Sequence, residues 1–222
     1  MISTAIKRVV WIAMIAAGLG LWSSASVRSG TTEAISGASL VEALRRGGFN
    51  IYFRHAATDW SAEDQVTAEG DWKSCDPSRM RQLSDRGRHQ AGRIGSAIRR
   101  LQIPVSRLYS SEYCRTRETA LSMNLRLPVK TTRALMNMRA ASFVGGTEAL
   151  VARARQFLSI PPPEGTNAVF VAHGNLMRAT SGAYTGEAGA VVFAPRGGGR
   201  IDVAAQLDPE QWETLARRFG RP

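Results

Sequence analysis

The chain lacks several patterns that would assign it to a special structural class. No internal repeat is visible, and its 21 Gly and 9 Pro are spread along the 222 residues. This distribution argues against a fibre or a disordered tail. With 44% apolar residues, the composition fits one α/β domain with a sizeable core.

Lysine is scarce, and the basic residues form no continuous stripe. Only 3 of the 29 basic residues are lysine, and the arginines occur singly or in pairs. No aromatic residues alternate with them as in a single-strand-binding surface, so nucleic acid is not an expected partner. We interpret the net charge of +11 as a solvated surface that attracts anionic substrates or lipid headgroups, which would allow association with a membrane surface.

Long apolar runs are lacking too, because the run Val9–Trp22 has only 14 residues, short for a membrane span. Lys7-Arg8 precede it, and Ser23-Ser24-Ala25 follow it. This pattern predicts an export signal over residues 1–25 that is cleaved after Ala25, and hence a periplasmic protein. An uncleaved N-terminal anchor is the alternative. Residues 26–37 are then expected to form a linker, and residues 38–222 the domain.

Cysteine is limited to Cys75 and Cys114. A bridge between them would close a loop of about 39 residues and add roughly 4 kcal/mol of stability in an oxidising compartment, on the chain-entropy model. The sequence leaves open whether they pair. Cys75 and Arg81 also have the Cys-x₅-Arg spacing of thiol-dependent phosphatases. No apolar strand precedes Cys75 and Pro77 lacks an amide proton, so we expect Cys75→Ser to retain activity.

Strand and helix patterns alternate along the chain, which predicts a mostly parallel sheet covered on both faces, a three-layer α/β/α sandwich. A long loop over 56–82 interrupts the alternation and is expected to wall a pocket together with 136–146. The expected helices are 39–46, 84–101, 113–123, 147–158 and 176–183. The expected strands are 50–53, 105–110, 128–131, 168–172 and a final hairpin of 190–193 with 201–205.

Two histidines and two arginines lie at the expected strand and helix ends. Arg54 and His55 end one apolar strand, His173 ends another, and Arg115 begins a helix. One histidine can attack phosphorus while the cations stabilise the developing charge of the anion. These residue types are the components of a phosphoryl-transfer site.

Four ordered blocks resemble the histidine phosphatase superfamily, which includes the phosphoglycerate mutase-like enzymes. They are Arg54-His55-Ala56, Leu83 to Ala91, Ser110-Ser111 through Arg115 to Ala120, and Val171-Ala172-His173-Gly174. The resemblance implies that His55 is the nucleophile and forms a phosphohistidine. It also implies that Arg54, Arg115 and His173 bind the phosphoryl group, that Thr58 donates a further hydrogen bond, and that neither a metal nor another cofactor is needed.

The chain departs from the family pattern at the proton donor. Asn137 and Asn175 stand where relatives supply a glutamate or an aspartate. Either another carboxylate serves (Glu187 first, then Asp59 or Glu148) or the leaving group needs little help. The expected function is a phosphohydrolase acting outside the cytoplasm on a small phosphorylated substrate or a phosphorylated envelope glycolipid. The alternative is a non-catalytic anion-binding module, and the oligomeric state stays open.

Overall fold

The computed structural model describes residues 35–221, so the predicted signal and most of the predicted linker lie outside the described residues. The elements follow the expected alternation. The helices are α1 (Gly37–Arg46), α2 (Asp85–Arg100), α3 (Cys114–Ser122), α4 (Thr147–Leu158), α5 (Gly174–Ser181) and α6 (Pro209–Phe219). The strands are β1 (Asn50–Arg54), β2 (Val105–Ser110), β3 (Val129–Thr131), β4 (Asn167–Ala172), β5 (Ala190–Pro195) and β6 (Ile201–Leu207).

Six strands form one sheet in the order β3-β2-β4-β1-β5-β6. The pairs β3·β2, β2·β4 and β4·β1 are parallel, whereas β5 runs antiparallel to both β1 and β6. The mostly parallel sheet and the terminal hairpin were therefore predicted correctly. Because β2, β4 and β1 are adjacent and parallel, their carboxyl ends meet at one edge of the sheet.

Both faces of the central strands are buried, as expected for a sheet between two helical layers. Ile51 and Phe53 of β1 pack with residues of α1, α2, α3 and α6 on one face. Tyr52 points to the opposite face, where it packs with Leu158 of α4 and Met177 of α5. The three-layer α/β/α arrangement is thus confirmed.

The long loop between β1 and α2 is held down by a small core of its own. The Trp72 side chain is fully buried, packs with Met80 and Tyr113, and donates from Nε1 to Glu112 Oε2 at 2.7 Å. A disulfide joins Cys75 to Cys114, the first residue of α3. This bridge answers the question of pairing and leaves Cys75 without a free thiol, which removes the basis of the Cys-x₅-Arg interpretation.

Helix α6 and three 3₁₀ helices, Asp71–Lys73, Arg133–Leu135 and Met138–Val144, were not expected from the sequence. Helix α6 begins with Asp208 as its N-cap, Pro209 in the first turn and a capping box completed by Gln211, a pattern that marks helix starts. The 3₁₀ helix Met138–Val144 lies in the segment expected to wall the pocket. Within residues 35–221, no helix is long and apolar enough to cross a membrane.

Candidate active site

The predicted site residues follow adjacent strands at the carboxyl edge of the sheet. Arg54 pairs with Ala172 in the β1·β4 register, and these residues end their strands. His55 and His173 are therefore the residues that immediately follow the two strands. The His55 amide donates to the Ala172 carbonyl at 2.9 Å. Their rings are edge to face with centroids 5.8 Å apart. The structure therefore brings the two histidines together, as the sequence predicts.

The ring of His55 is oriented by the backbone carbonyl of the next residue, Ala56. Nδ1 lies 2.9 Å from the carbonyl oxygen of Ala56, which can only accept a hydrogen bond. The proton therefore sits on Nδ1, and Nε2 keeps its lone pair. A neutral imidazole in this tautomer has the nucleophile that attack on phosphorus requires.

Residues from the family-like blocks anchor the backbone that follows His55. The Ala56 amide donates to Thr119 Oγ1 at 3.1 Å, and the Ala57 amide donates to Gln90 Oε1 at 3.3 Å. Ser84 Oγ donates to the Ala57 carbonyl at 2.9 Å and accepts from the Gly87 amide as the N-cap of α2. These contacts explain why the blocks around α2 and α3 accompany the histidine in the sequence.

His173 is fixed by different partners. Its Nε2 lies 3.0 Å from Ser111 Oγ, and its backbone carbonyl accepts from Tyr52 Oη at 2.9 Å. The ring of Tyr113 packs on it with centroids 4.6 Å apart. Nδ1 of His173 is buried and has no hydrogen-bond partner in the described part of the chain.

Both histidines are held neutral by their surroundings. Burial lowers the pKa of His55 and of His173 well below the usual value for an imidazole, and the charge of Arg115 lowers both further. Arg54 and Arg81 add to this effect. The neutral form needed for nucleophilic attack is therefore favoured by the site itself.

Arg115 is buried near the two histidines and is held by a carboxylate that the sequence does not indicate. Its Nη1 and Nη2 donate to the two oxygens of Asp64, each at 2.8 Å. The side chains are only 1% and 3% exposed, so the pair is shielded from solvent. Asp64 lies in the long loop, 51 residues before Arg115, and no spacing pattern in the sequence indicates the contact.

An open cavity of about 460 Å³ lies above the two histidines. Arg54 lines it and donates from Nη1 to Tyr184 Oη at 2.7 Å. Arg81 lines it as well, with its guanidinium stacked 3.8 Å from the ring centre of Trp60. Trp60 is thus a cavity residue, whereas Trp72 is a core residue.

Two residues that line this cavity, His173 and Arg81, have a buried nitrogen without a partner in the described part of the chain, and so does the nearby buried Arg115. Among buried side-chain polar atoms of residues 35–221 that lack a partner are His173 Nδ1, Arg115 Nε and Arg81 Nε. Buried polar groups without partners are uncommon and call for an explanation. An oxyanion bound next to His55 would accept hydrogen bonds from such groups.

The expected proton donors are not at the cavity. Glu187 Oε1 accepts from Thr58 Oγ1 at 2.6 Å and lies 4.0 Å from His55 Nδ1, the ring nitrogen that faces away from attack. Thr58 is accordingly a partner of Glu187 here, and its contact with substrate stays a prediction. Asp59 is exposed and bonded to the Ser61 amide, and Glu148 is exposed in the first turn of α4. Among the described residues that line the cavity, Asp64 is the carboxylate.

Fold and site together define an α/β protein with a buried pair of neutral histidines and converging arginines. Residues 51–159 match the family model of the histidine phosphatase superfamily (branch 1). The chain belongs to this superfamily. The matched segment includes His55 and Arg115 but ends before His173, whose place in the site rests on the geometry above.

Solved structures with the same fold have low sequence identity to the chain. The alpha-ribazole phosphatase from Shigella flexneri is 13% identical, with a TM-score of 0.52, 72% of this chain covered and 96% of the other. The protein histidine phosphatase SixA in complex with tungstate is 16% identical, with a TM-score of 0.50, 72% of this chain covered and 97% of the other. A mutant phosphoserine phosphatase from Entamoeba histolytica in complex with phosphoserine is 14% identical, with a TM-score of 0.50 and coverages of 73% and 98%.

No curated protein sequence matches the chain significantly. At these identities the solved structures support the fold, and the superfamily match supports phosphohydrolase activity in general terms.

Proposed function

We propose that the protein is a metal-independent phosphohydrolase that works through a phosphohistidine on His55. The observation that carries this proposal is the neutral His55, with Nε2 free, beside three buried nitrogens that lack partners. Nε2 attacks phosphorus and displaces the ester oxygen, which leaves as an alcohol after taking up a proton. Water then attacks the phosphohistidine, which releases phosphate and restores the imidazole.

The cations divide the stabilisation of the transferred group. Arg54 and Arg81 line the cavity together with His55, and Arg115 Nε and His173 Nδ1 are buried nitrogens without partners within residues 35–221. In this arrangement Ser111 donates to His173 Nε2, so that Nδ1 carries a proton toward the phosphoryl oxygens. Donors aimed at the equatorial oxygens stabilise the charge that develops in the transition state.

The leaving group receives little help from the protein. Both oxygens of Asp64 are engaged by Arg115, and Glu187 lies toward the Nδ1 side of His55. A missing general acid costs about 10²–10⁴-fold with poor leaving groups. We therefore expect aryl phosphates to be hydrolysed much faster than alkyl phosphates of similar size.

The proposed substrate is a phosphomonoester outside the cytoplasm, either a small molecule or a phosphorylated envelope glycolipid. The export signal predicted over residues 1–25 supports this location, and the excess of positive charge favours an anionic substrate. The cavity volume of about 460 Å³ suits a ligand larger than inorganic phosphate, because pockets of roughly 300–1,000 Å³ hold drug-sized molecules.

Turnover of p-nitrophenyl phosphate in the presence of EDTA tests the proposal. We expect His55→Ala to lower kcat/KM by about 10³-fold or more, as loss of a nucleophile does in other enzymes. His89→Ala is the matched control, because His89 is exposed on α2 and should leave turnover unchanged. Rapid acid-free quenching with labelled substrate should trap phosphohistidine in the wild type and none in His55→Ala. Equal turnover by wild type and His55→Ala would refute the assignment.

A non-catalytic anion-binding module is the second candidate, favoured by the absence of a free carboxylic acid at the described cavity. Such a protein would bind phosphate groups without releasing them. Folded wild-type protein that binds inorganic phosphate yet releases no p-nitrophenol would support this alternative.

A further inference from the structure

Two arginines at the mouth of the cavity have no part in the proposed reaction. Arg139 lies in the 3₁₀ helix Met138–Val144, and Arg178 lies in α5. Both are exposed, and neither side chain donates to a carboxylate among residues 35–221. Arg178 instead stacks over the ring of Tyr184, 4.3 Å from its centre.

Their position is fixed by a pair of amide side chains. Asn137 Oδ1 accepts from the Arg139 amide at 3.0 Å and from Asn175 Nδ2 at 2.8 Å. Asn137 is the N-cap of the 3₁₀ helix, and Asn175 lies in the first turn of α5. The two segments that carry the arginines are therefore tied together at the cavity wall. The asparagines that stand in place of a family acid have this structural role.

Some exposed arginines of the chain are paired with carboxylates, whereas Arg139 and Arg178 line the cavity without such a partner among the described residues. Arg93 pairs with Glu213, Arg88 with Glu118 and Arg196 with Asp202. An arginine that lines a concave site with no acidic partner is suited to bind an anion, because its planar donors match carboxylate and phosphate oxygens.

The charge of the cavity exceeds what one phosphate needs. Arg54, Arg81, Arg139 and Arg178 line it, and the only lining carboxylate among the described residues, Asp64, is already neutralised by Arg115. A phosphate monoester carries at most two negative charges. Once such a group lies against His55 between Arg54 and Arg81, two positive charges at the mouth stay uncompensated.

We propose that the substrate carries a second anionic group, a phosphate or a carboxylate, which Arg139 and Arg178 bind at the mouth of the cavity. This inference rests on the proposed function for the position of the first phosphate. The indole of Trp60, 66% exposed beside Arg81, offers a flat apolar surface for the part of the substrate between the two anions. Arg139 and Arg178 are thus specificity-determining residues and take no part in phosphoryl transfer.

Titration calorimetry with matched ligands tests the subsite. Full-length protein with His55→Ala, which prevents turnover, is titrated with fructose 6-phosphate and fructose 1,6-bisphosphate. Glycerol 3-phosphate and 3-phosphoglycerate form a second pair for a carboxylate. We expect the doubly anionic member of at least one pair to bind about tenfold more tightly or better, the effect of one or two charge-assisted hydrogen bonds. The pair that shows the gain identifies the second anion.

The double variant Arg139→Gln/Arg178→Gln should reduce this ratio to about twofold or less. Arg155→Gln is the charge-matched control, because Arg155 is exposed on α4 and does not line the cavity; it should keep the ratio. The same four compounds, used as competitors of p-nitrophenyl phosphate on the wild-type protein, provide an independent readout. Equal affinities within both pairs, or a ratio that survives the double variant, would overturn the subsite.

The outcomes separate the two proposals. Turnover of p-nitrophenyl phosphate without a preference for double anions would leave the proposed function intact and reject the subsite. A preference that depends on Arg139 and Arg178 without any turnover would retain the subsite and favour the anion-binding module. No binding of any compound in either assay would contradict both.

Discussion

The bidentate pair between Arg115 and Asp64 determines which nitrogens of the buried guanidinium can bind an anion. Both terminal nitrogens are engaged by Asp64, while Nε has no partner. A buried charge is costly unless it is paired, so Asp64 compensates Arg115 when no ligand is present. Phosphate and Asp64 then share one guanidinium, and the proposed reaction depends on that balance.

Asp64→Asn is expected to destabilise the protein and to increase the stabilisation that it gains from bound phosphate. The loss of one partner from a buried pair costs about 3–5 kcal/mol, so urea unfolding in phosphate-free buffer should show a lower free energy of unfolding. Because Arg115 is left uncompensated, inorganic phosphate should raise the Tm of Asp64→Asn more than that of the wild type. Asp202→Asn is the control, since its pair with Arg196 is about half exposed and worth about 0–1 kcal/mol. Equal phosphate effects on Asp64→Asn and wild type would contradict this interpretation of Arg115.

The two buried histidines are expected to make the free energy of unfolding decrease as the pH falls. Their pKa values are lowered in the folded state by burial first and by Arg115 next. Below a pH of about 6.5 the unfolded chain takes up protons at these positions and the folded protein does not. Two such groups steepen the loss by up to about 2.7 kcal/mol per pH unit until the folded-state pKa is reached.

Urea unfolding between pH 7 and pH 5 measures this slope. His55→Asn/His173→Gln should flatten it, whereas His89→Asn should not, because His89 is exposed. The other charged groups near the histidines are Arg115, Arg54, Arg81 and Glu187. A slope that is the same in wild type and in the double variant would rule out neutral histidines in the fold.

Sequence patterns located the residues that follow strands but not the residues that the loop brings in. His55, His173 and Arg54 end apolar strands, and adjacency of parallel strands places them together. Asp64, Arg81 and Trp60 reach the site only because the loop folds over its own core around Trp72. Neither hydrophobic periodicity nor secondary-structure propensity indicates such contacts, since they depend on tertiary packing.

Helix α2 is the element that sets the position of the segment after His55. Gly87, Ser84 and Gln90 all face Ala57 from its first turns. A β-carbon on Gly87 would lie 2.1 Å from the Ala57 carbonyl oxygen, too close for any real contact. Glycine therefore permits the approach of helix to loop that holds the nucleophile in place.

A matched pair of glycine substitutions in α2 tests this role. Gly87→Ala should lower both Tm and kcat/KM, because the Ala57 carbonyl and the His55 backbone must shift. Gly92→Ala adds the same methyl group in the same helix, 3.6 Å from its nearest neighbour, the Ser122 carbonyl oxygen. It should raise stability by up to about 1 kcal/mol through helix propensity alone and leave activity unchanged. Full activity in Gly87→Ala, measured with p-nitrophenyl phosphate, would show that α2 does not position the nucleophile.

At the level of elements, the segments with strong apolar patterns were predicted well. The strand β4 and the helix α2 have continuous apolar patterns and were found within a few residues of their observed bounds. Helix α1 begins at Gly37, two residues before the expected start. Helix α6 was missed although Trp212, Leu215 and Ala216 have helical spacing and Asp208-Pro209 is a capping signal.

The whole molecule combines an excess of basic charge with a disulfide. Removal of Lys7 and Arg8 with the predicted signal would lower the net charge from +11 to +9. The bridge between Cys75 and Cys114 fastens the long loop beside Arg115, at the start of α3. Because disulfides persist in oxidising compartments, the predicted export would preserve the bridge.

Export is expected to yield a periplasmic protein whose first residue is Ser26. Expression of the full chain in a bacterial host, followed by fractionation and N-terminal sequencing, measures both location and cleavage. The same chain without residues 1–25, made in the cytosol, should carry two free thiols. It should unfold more readily than the exported protein, because the bridge contributes roughly 4 kcal/mol on the chain-entropy model. Oxidation in vitro should restore the lost stability to the protein with both cysteines but not to Cys75→Ser/Cys114→Ser. An intact N-terminus in the membrane fraction would favour the anchor, and a cytosolic full-length protein with reduced cysteines would contradict export.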